Sequence, residues 1–171
     1  MKSFLLVSLL TIGALVASQL HAEDAGDPVV SAIVKQVAGN ERLSLQMAPL
    51  KTRRALSLYI QSMPQEISAF SGISPNLRDE FVNSLKFNER GLTEFDPSPL
   101  RRLSPTQVYS ILALFGLEGG AYKIKAIPHT DLDRHLNAVP LMENGGFLEG
   151  YRCEGRGTCG ESQRSACTPN C

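Results

Sequence analysis

The chain has 171 residues, 17 basic and 17 acidic side chains and no tryptophan. That balance leaves no electrostatic footprint for nucleic acid or an anionic membrane, and the scarcity of aromatic rings argues against a base-stacking platform. All four cysteines (Cys153, Cys159, Cys167 and Cys171) lie at the end of the sequence, behind a body that contains none.

Residues 1–22, MKSFLLVSLLTIGALVASQLHA, read as a signal peptide. One charge, Lys2, precedes an apolar run from Phe4 to Ala17, and Glu23-Asp24 follow a zone of mostly small or neutral residues. Cleavage is expected after Ala22, with Ser18 as the alternative because Leu20 is large for the −3 position. An uncleaved anchor competes with this reading, but the run is shorter than the ~20 residues a span needs. No second run reaches that length, so no transmembrane segment is expected after signal removal. Residues 23–171 suit one domain able to bury roughly 70% of its unfolded surface. They divide into a helical part, 23–144, and a cysteine-rich tail, 145–171.

Asp27-Pro28 is a cap and first-turn pair, and Val30, Ile33, Val34 and Val37 recur at helical spacing, so a helix is expected over 28–38, stopped by Gly39. Pro49 opens a second helical stretch with Leu50, Leu56, Tyr59, Ile60 and Met63 as its apolar stripe. Lys51, Arg53 and Arg54 then form a solvated basic face. Pro64 opens a short helix through Phe70, stopped by Ser71-Gly72. Ser74-Pro75 starts another, with Leu77, Phe81, Val82 and Leu85 on one face. The turn-rich segment from Asn88 to Leu103 is expected to be an ordered connection anchored by Leu92, Phe95, Leu100 and Leu103.

Ser104-Pro105-Thr106-Gln107 has the pattern of a capping box, in which side chain and backbone satisfy each other's free donors, and Val108, Ile111, Leu112 and Phe115 follow at helical spacing. After Gly119-Gly120, AYKIKAI alternates and predicts one short strand. Thr130 is placed to cap a short helix through about Asn137. The tail then turns rich in Gly, Ser, Thr and Arg, with no large apolar side chain beyond Tyr151. Such a segment cannot build its own core and needs cross-links to hold a shape.

Two clusters could carry chemistry. The cysteines, spaced C-x5-C-x7-C-x3-C, allow three pairings as two disulfides, and sequence does not choose among them. A four-thiolate zinc site competes, although only Cys167 and Cys171 show the usual close spacing; thioether chemistry with nearby Ser and Thr is a third option. The second cluster is His129, Asp131, Asp133 and His135. These residues could ligate a divalent metal if extended, whereas on a helix capped by Thr130 the two aspartates simply favour its first turn. No G-x-S-x-G elbow, Walker A sequence or G-x-G-x-x-G is present, so no catalytic residue and no cofactor are expected.

The helical segments LSLYIQSMPQEISAFSGISPNLRDEFVNSL and LSPTQVYSILALF, followed by a cysteine-rich end, resemble the proteins related to the bacteriocin fulvocin C. The resemblance spans residues 50–115 and, in character, the tail. It implies an exported precursor whose stapled C-terminus is the active peptide and whose helical part is a carrier. It carries over no catalytic residue.

The expected fold is therefore mainly α: a bundle of four to five short helices with a disulfide-stapled, irregular tail. The expected function is that of a secreted or periplasmic, non-enzymatic protein that binds a protein or cell-surface target, as a bacteriocin-like precursor with an active tail. The alternative is a periplasmic interaction protein whose tail only locks the C-terminus. A small metal-dependent enzyme using His129 to His135 is the third.

Overall fold

In a computed structural model, residues 40–138 and 146–171 are described. The signal peptide expected over 1–22, the helix expected over 28–38 and the boundary at 144/145 lie outside them. Residues 40–47 are helical (α1), an element that the polar stretch NERLSLQM does not announce. Thr52 then caps α2 (Arg53–Ser62), its hydroxyl oxygen accepting the Ala55 N–H at 3.1 Å. Ser74-Pro75 opens α3 (Pro75–Ser84) as expected, although the Ser74 hydroxyl makes no capping bond.

The expected capping box is present at α4 (Pro105–Ala113). The Gln107 N–H donates to Ser104 Oγ at 3.2 Å, and the Ser104 N–H donates to Gln107 Oε1 at 3.1 Å. Thr130 caps α5 (Asp131–Ala138), accepting the Asp133 N–H at 3.1 Å. Arg53, expected on a solvated face, is exposed and also donates to the carbonyls of Val82 and Leu85 at the end of α3. A guanidinium there meets the helix's unpaired carbonyls and the negative end of its dipole.

The expectation of a mainly α fold is overturned by a four-stranded antiparallel sheet. It is built from β1 (Lys86–Asn88), β2 (Gly91–Phe95), β3 (Leu148–Gly155) and β4 (Thr158–Cys167), in the order β1-β2-β4-β3. The first hairpin turns at Asn88, whose Oδ1 accepts the N–H of Arg90 at 2.8 Å and of Gly91 at 3.2 Å. The second turns at Arg156-Gly157, so the tail expected to be irregular is a paired hairpin. Two smaller expectations also change. AYKIKAI lies not on a strand but largely in a 3-10 helix, Glu118–Ile124, ended by Lys125 at a left-handed φ of 51°. Pro64 to Phe70 forms turns rather than a helix, with the N–H groups of both Ile67 and Ser68 bonded to the Pro64 carbonyl.

The core sits between α2, α3 and α4 and the inner face of the sheet. Phe81 is its hub, with its ring edge-on to Phe95 at 6.1 Å and to Phe115 at 6.5 Å, and tilted to Phe70 at 6.5 Å. Leu92, Phe95, Leu100 and Leu103 are all buried, as expected of anchors in that connection. Gly116, at φ 70°, lets the chain leave α4 directly beneath α1, where an added Cβ would lie 2.4 Å from the Ser44 carbonyl oxygen. Further on, Gly120 and Gly146 meet back to back: a Cβ on Gly146 would lie 2.7 Å from the Gly120 Cα. That close approach brings Phe147 into the core at the start of the C-terminal hairpin. Among the described residues, no helix is long and apolar enough to cross a membrane.

Candidate functional site

Among the described residues, His129, Asp131, Asp133 and His135 do not group as metal ligands. Asp133 is buried and its carboxylate is saturated by neighbours. Oδ1 accepts the N–H of Thr106 at 3.0 Å and its hydroxyl at 2.6 Å; Oδ2 accepts the N–H groups of His129 and Thr130, both at 3.0 Å. One carboxylate thus serves the N-termini of α4 and α5 together. Asp131 is exposed and pairs with Arg134, and His129 and His135 are exposed.

Hydrogen bonds from Thr106, His129 and Thr130 hold the Asp133 carboxyl far below the usual carboxylate range. A group depressed in this way stabilises the fold fully above its unfolded pKa of about 4, and that contribution fades as pH falls towards the native value. Asp133→Asn is therefore expected to lower stability at about pH 7 and to flatten its fall between about pH 4 and pH 2, measured by urea unfolding followed by circular dichroism. An unchanged acid limb in the variant would show that this carboxylate is not the titrating group.

The cysteines do come together. The structure selects the nested pairing from the three: Cys153–Cys171, with Cα atoms 5.6 Å apart, and Cys159–Cys167, with Cα atoms 6.1 Å apart. No described cysteine is free, so the zinc alternative has no thiolates in this state. Cys159 and Cys167 lie on the same strand, eight residues apart. Eight extended residues would span about 26 Å, so β4 must double back on itself. It does so where its register with β3 jumps, from Glu149↔Ala166 to Tyr151↔Glu161.

Glu94 holds that bend against the body. It is buried on β2, and its Oε1 accepts from Lys86 Nζ at 2.8 Å and from Ser165 Oγ at 3.1 Å. Its Oε2 accepts the Cys153 N–H at 3.2 Å. The segment after β4 is tied down as firmly. The Thr168 N–H donates to the Thr93 carbonyl at 2.9 Å, Asn88 Nδ2 to the Asn170 carbonyl at 2.7 Å, and Arg90 Nη2 to the Cys171 oxygen at 2.6 Å. Sequence reasoning picked out neither Glu94 nor Arg90. The readable signal was Asn88-Glu89-Arg90-Gly91, a turn flanked by short alternating runs.

Among the described residues, clefts open around this docked end. One, of about 320 Å³, lies beside Cys159, Cys167 and Cys171 and has an apolar wall of Phe147 and Leu148. A second, of about 380 Å³, runs between Arg90, Arg156 and the Cys153–Cys171 bridge. The largest, about 750 Å³, opens between α1 and the docked end and carries Glu41, Arg42, Lys51, Glu89 and Arg90. Basic and acidic side chains are mixed along the last two. Comparison with protein-family models, with curated proteins and with solved structures returns no match.

Proposed function

We propose that the chain is an exported, non-enzymatic protein that acts by binding, with its stapled hairpin working in place on the body rather than as a released peptide. The observation that carries this reading is the shared sheet. β4 pairs with β2 through Glu94↔Cys167 and Phe95↔Ala166, and the Phe147 ring stands edge-on to Phe95 at 5.0 Å. Releasing the hairpin would expose Phe147 and Ala166, and one buried phenylalanine alone is worth about 1.5–3 kcal/mol. Export is supported by the signal-like residues 1–22 and by two bridges of a kind that persists in oxidising compartments.

Within this reading the binding face is the ring of clefts around Thr168 to Cys171. Arg42, Arg90 and Arg156 mixed with Glu41 and Glu89 suit a polar protein or cell-surface partner of mixed charge. A bacteriocin-like role, as the resemblance implies, fits this arrangement when the whole chain is the acting species. The test is a specific protease site placed between Ala138 and Gly146. Neither bridge spans that cut, because both lie within residues 153–171. The two fragments are expected to co-elute in native buffer and to part only in denaturant. A hairpin fragment that leaves the body in native buffer, and alone reproduces the effect of the whole chain on target cells, would overturn the proposal.

A further inference from the structure

We infer that the reduced chain binds one zinc ion through Cys153, Cys159, Cys167 and Cys171. The sulfurs of Cys159, Cys167 and Cys171 already lie within 4.8 Å of one another; that of Cys153 falls outside this group but is bonded to Cys171, and its residue faces Cys159 across the β3/β4 pair. In a tetrahedral thiolate site with Zn–S of about 2.3 Å, neighbouring sulfurs are about 3.8 Å apart. Paired Cα atoms 5.6 and 6.1 Å apart leave each bonded pair able to separate towards that spacing by side-chain rotation once the S–S bond is broken. The sequence spacing speaks against a zinc knuckle only for a linear segment; the doubled-back strand removes that objection by folding distant cysteines together.

Room and support are both present. The 320 Å³ cleft is lined by Cys159, Cys167 and Cys171, so an ion can enter at three of its four ligands. Arg90 and Arg156, against one carboxylate, Glu89, line the neighbouring cleft beside Cys153 and Cys171, a net positive surrounding that offsets part of the negative charge of a zinc tetrathiolate. The backbone that presents the sulfurs is held by bonds independent of the bridges: Glu94 to the Cys153 N–H, and the Thr93 carbonyl to the Thr168 N–H. The chemistry balances in two steps. A dithiol reductant gives each disulfide two electrons and two protons and is itself oxidised to a disulfide. Each cysteine thiol then releases its proton, and zinc accepts a lone pair from each of the resulting thiolates. Bridges and metal exclude each other, so the same sulfurs form an oxidised lock or a reduced zinc site, whatever the exported chain binds.

The full chain, reduced anaerobically and freed of reductant, is titrated with Co²⁺ and then Zn²⁺. The expected result is one Co²⁺ per chain, with the intense visible bands of a tetrahedral thiolate site that Zn²⁺ abolishes. All four cysteines should resist alkylation in the zinc form, and the oxidised chain should take up no metal. Cys159→Ser and Cys171→Ser should each weaken binding roughly tenfold or more. Circular dichroism accompanies each step, and a reduced chain that loses its structure is expected to regain it on adding zinc. Another stoichiometry, only two protected cysteines, equal uptake by the oxidised chain, unchanged affinity in both variants, or an unfolded reduced chain that zinc does not restore would each overturn the inference.

Discussion

Phe95→Ala is expected to cost about 3–5 kcal/mol of stability, the range for deleting a fully buried phenylalanine ring. Phe95 has no exposed surface, and its ring touches Phe81 on the body side and Phe147 on the hairpin side. The substitution therefore opens a cavity at the joint between them, and the loss should not spread evenly. Amide hydrogen exchange should accelerate most in β3 and β4, while α4, whose Val108 and Leu112 are buried in the body, keeps more of its protection. Urea unfolding gives the total and exchange gives its distribution. A loss under about 1 kcal/mol would mean that the joint collapses around the vacancy and that the hairpin is held mainly by its hydrogen bonds.

Replacing Cys153 and Cys171 together by alanine is expected to cost about 3 kcal/mol, and the Cys159–Cys167 pair slightly less, in keeping with the loop each closes. The loops have sequence separations of 18 and 8. The two removals should differ more in place than in size. The first frees the docked end at Cys171, which Arg90 also holds; the second frees the doubled-back part of β4. Proteolysis should therefore cut near Thr168 to Cys171 in the first variant and near Ser162 to Ser165 in the second, read by mass spectrometry. The same cut sites in both variants would show that the bridges act as one unit.

Much of the body was legible because its helices carry their own punctuation. Ser104 and Gln107 announce α4, Ser74-Pro75 announces α3, and Thr130 announces α5; each signal is local and works within a turn. The sheet was not legible because its signals are distant or small. β2 is paired on one side by a three-residue strand and on the other by a strand far along the chain, so no local period marks it. In β3 and β4 the alternation involves Gly, Ser, Thr, Cys and charged residues rather than large apolar ones. Their pairing is held by bridges and backbone bonds, which leave no trace in hydrophobic periodicity. AYKIKAI failed in the opposite direction: its alternation is real, but the preceding glycines let the chain coil tightly, and Ala121 and Ile124 are buried one 3-10 turn apart. At the candidate site the cysteines stood out at once, whereas Glu94 and Arg90 acquire their roles only when the tail arrives.

That late arrival bears on how the molecule is made. Thr168 and Leu92, whose side chain and carbonyl bond in the finished fold, are 76 residues apart in sequence. A chain that emerges amino end first must hold β2 with one flank open until β4 appears, and such an unpaired flank invites pairing with other chains. Glu94 stands on β2 with Lys86 bonded to it, and a charge on an open edge is one of the devices that discourage apolar strands from adding there. The correct strand brings Ser165 and the Cys153 N–H to satisfy the carboxylate. The charge that β2 carries while its edge is open thus becomes the fastening for the hairpin that closes it.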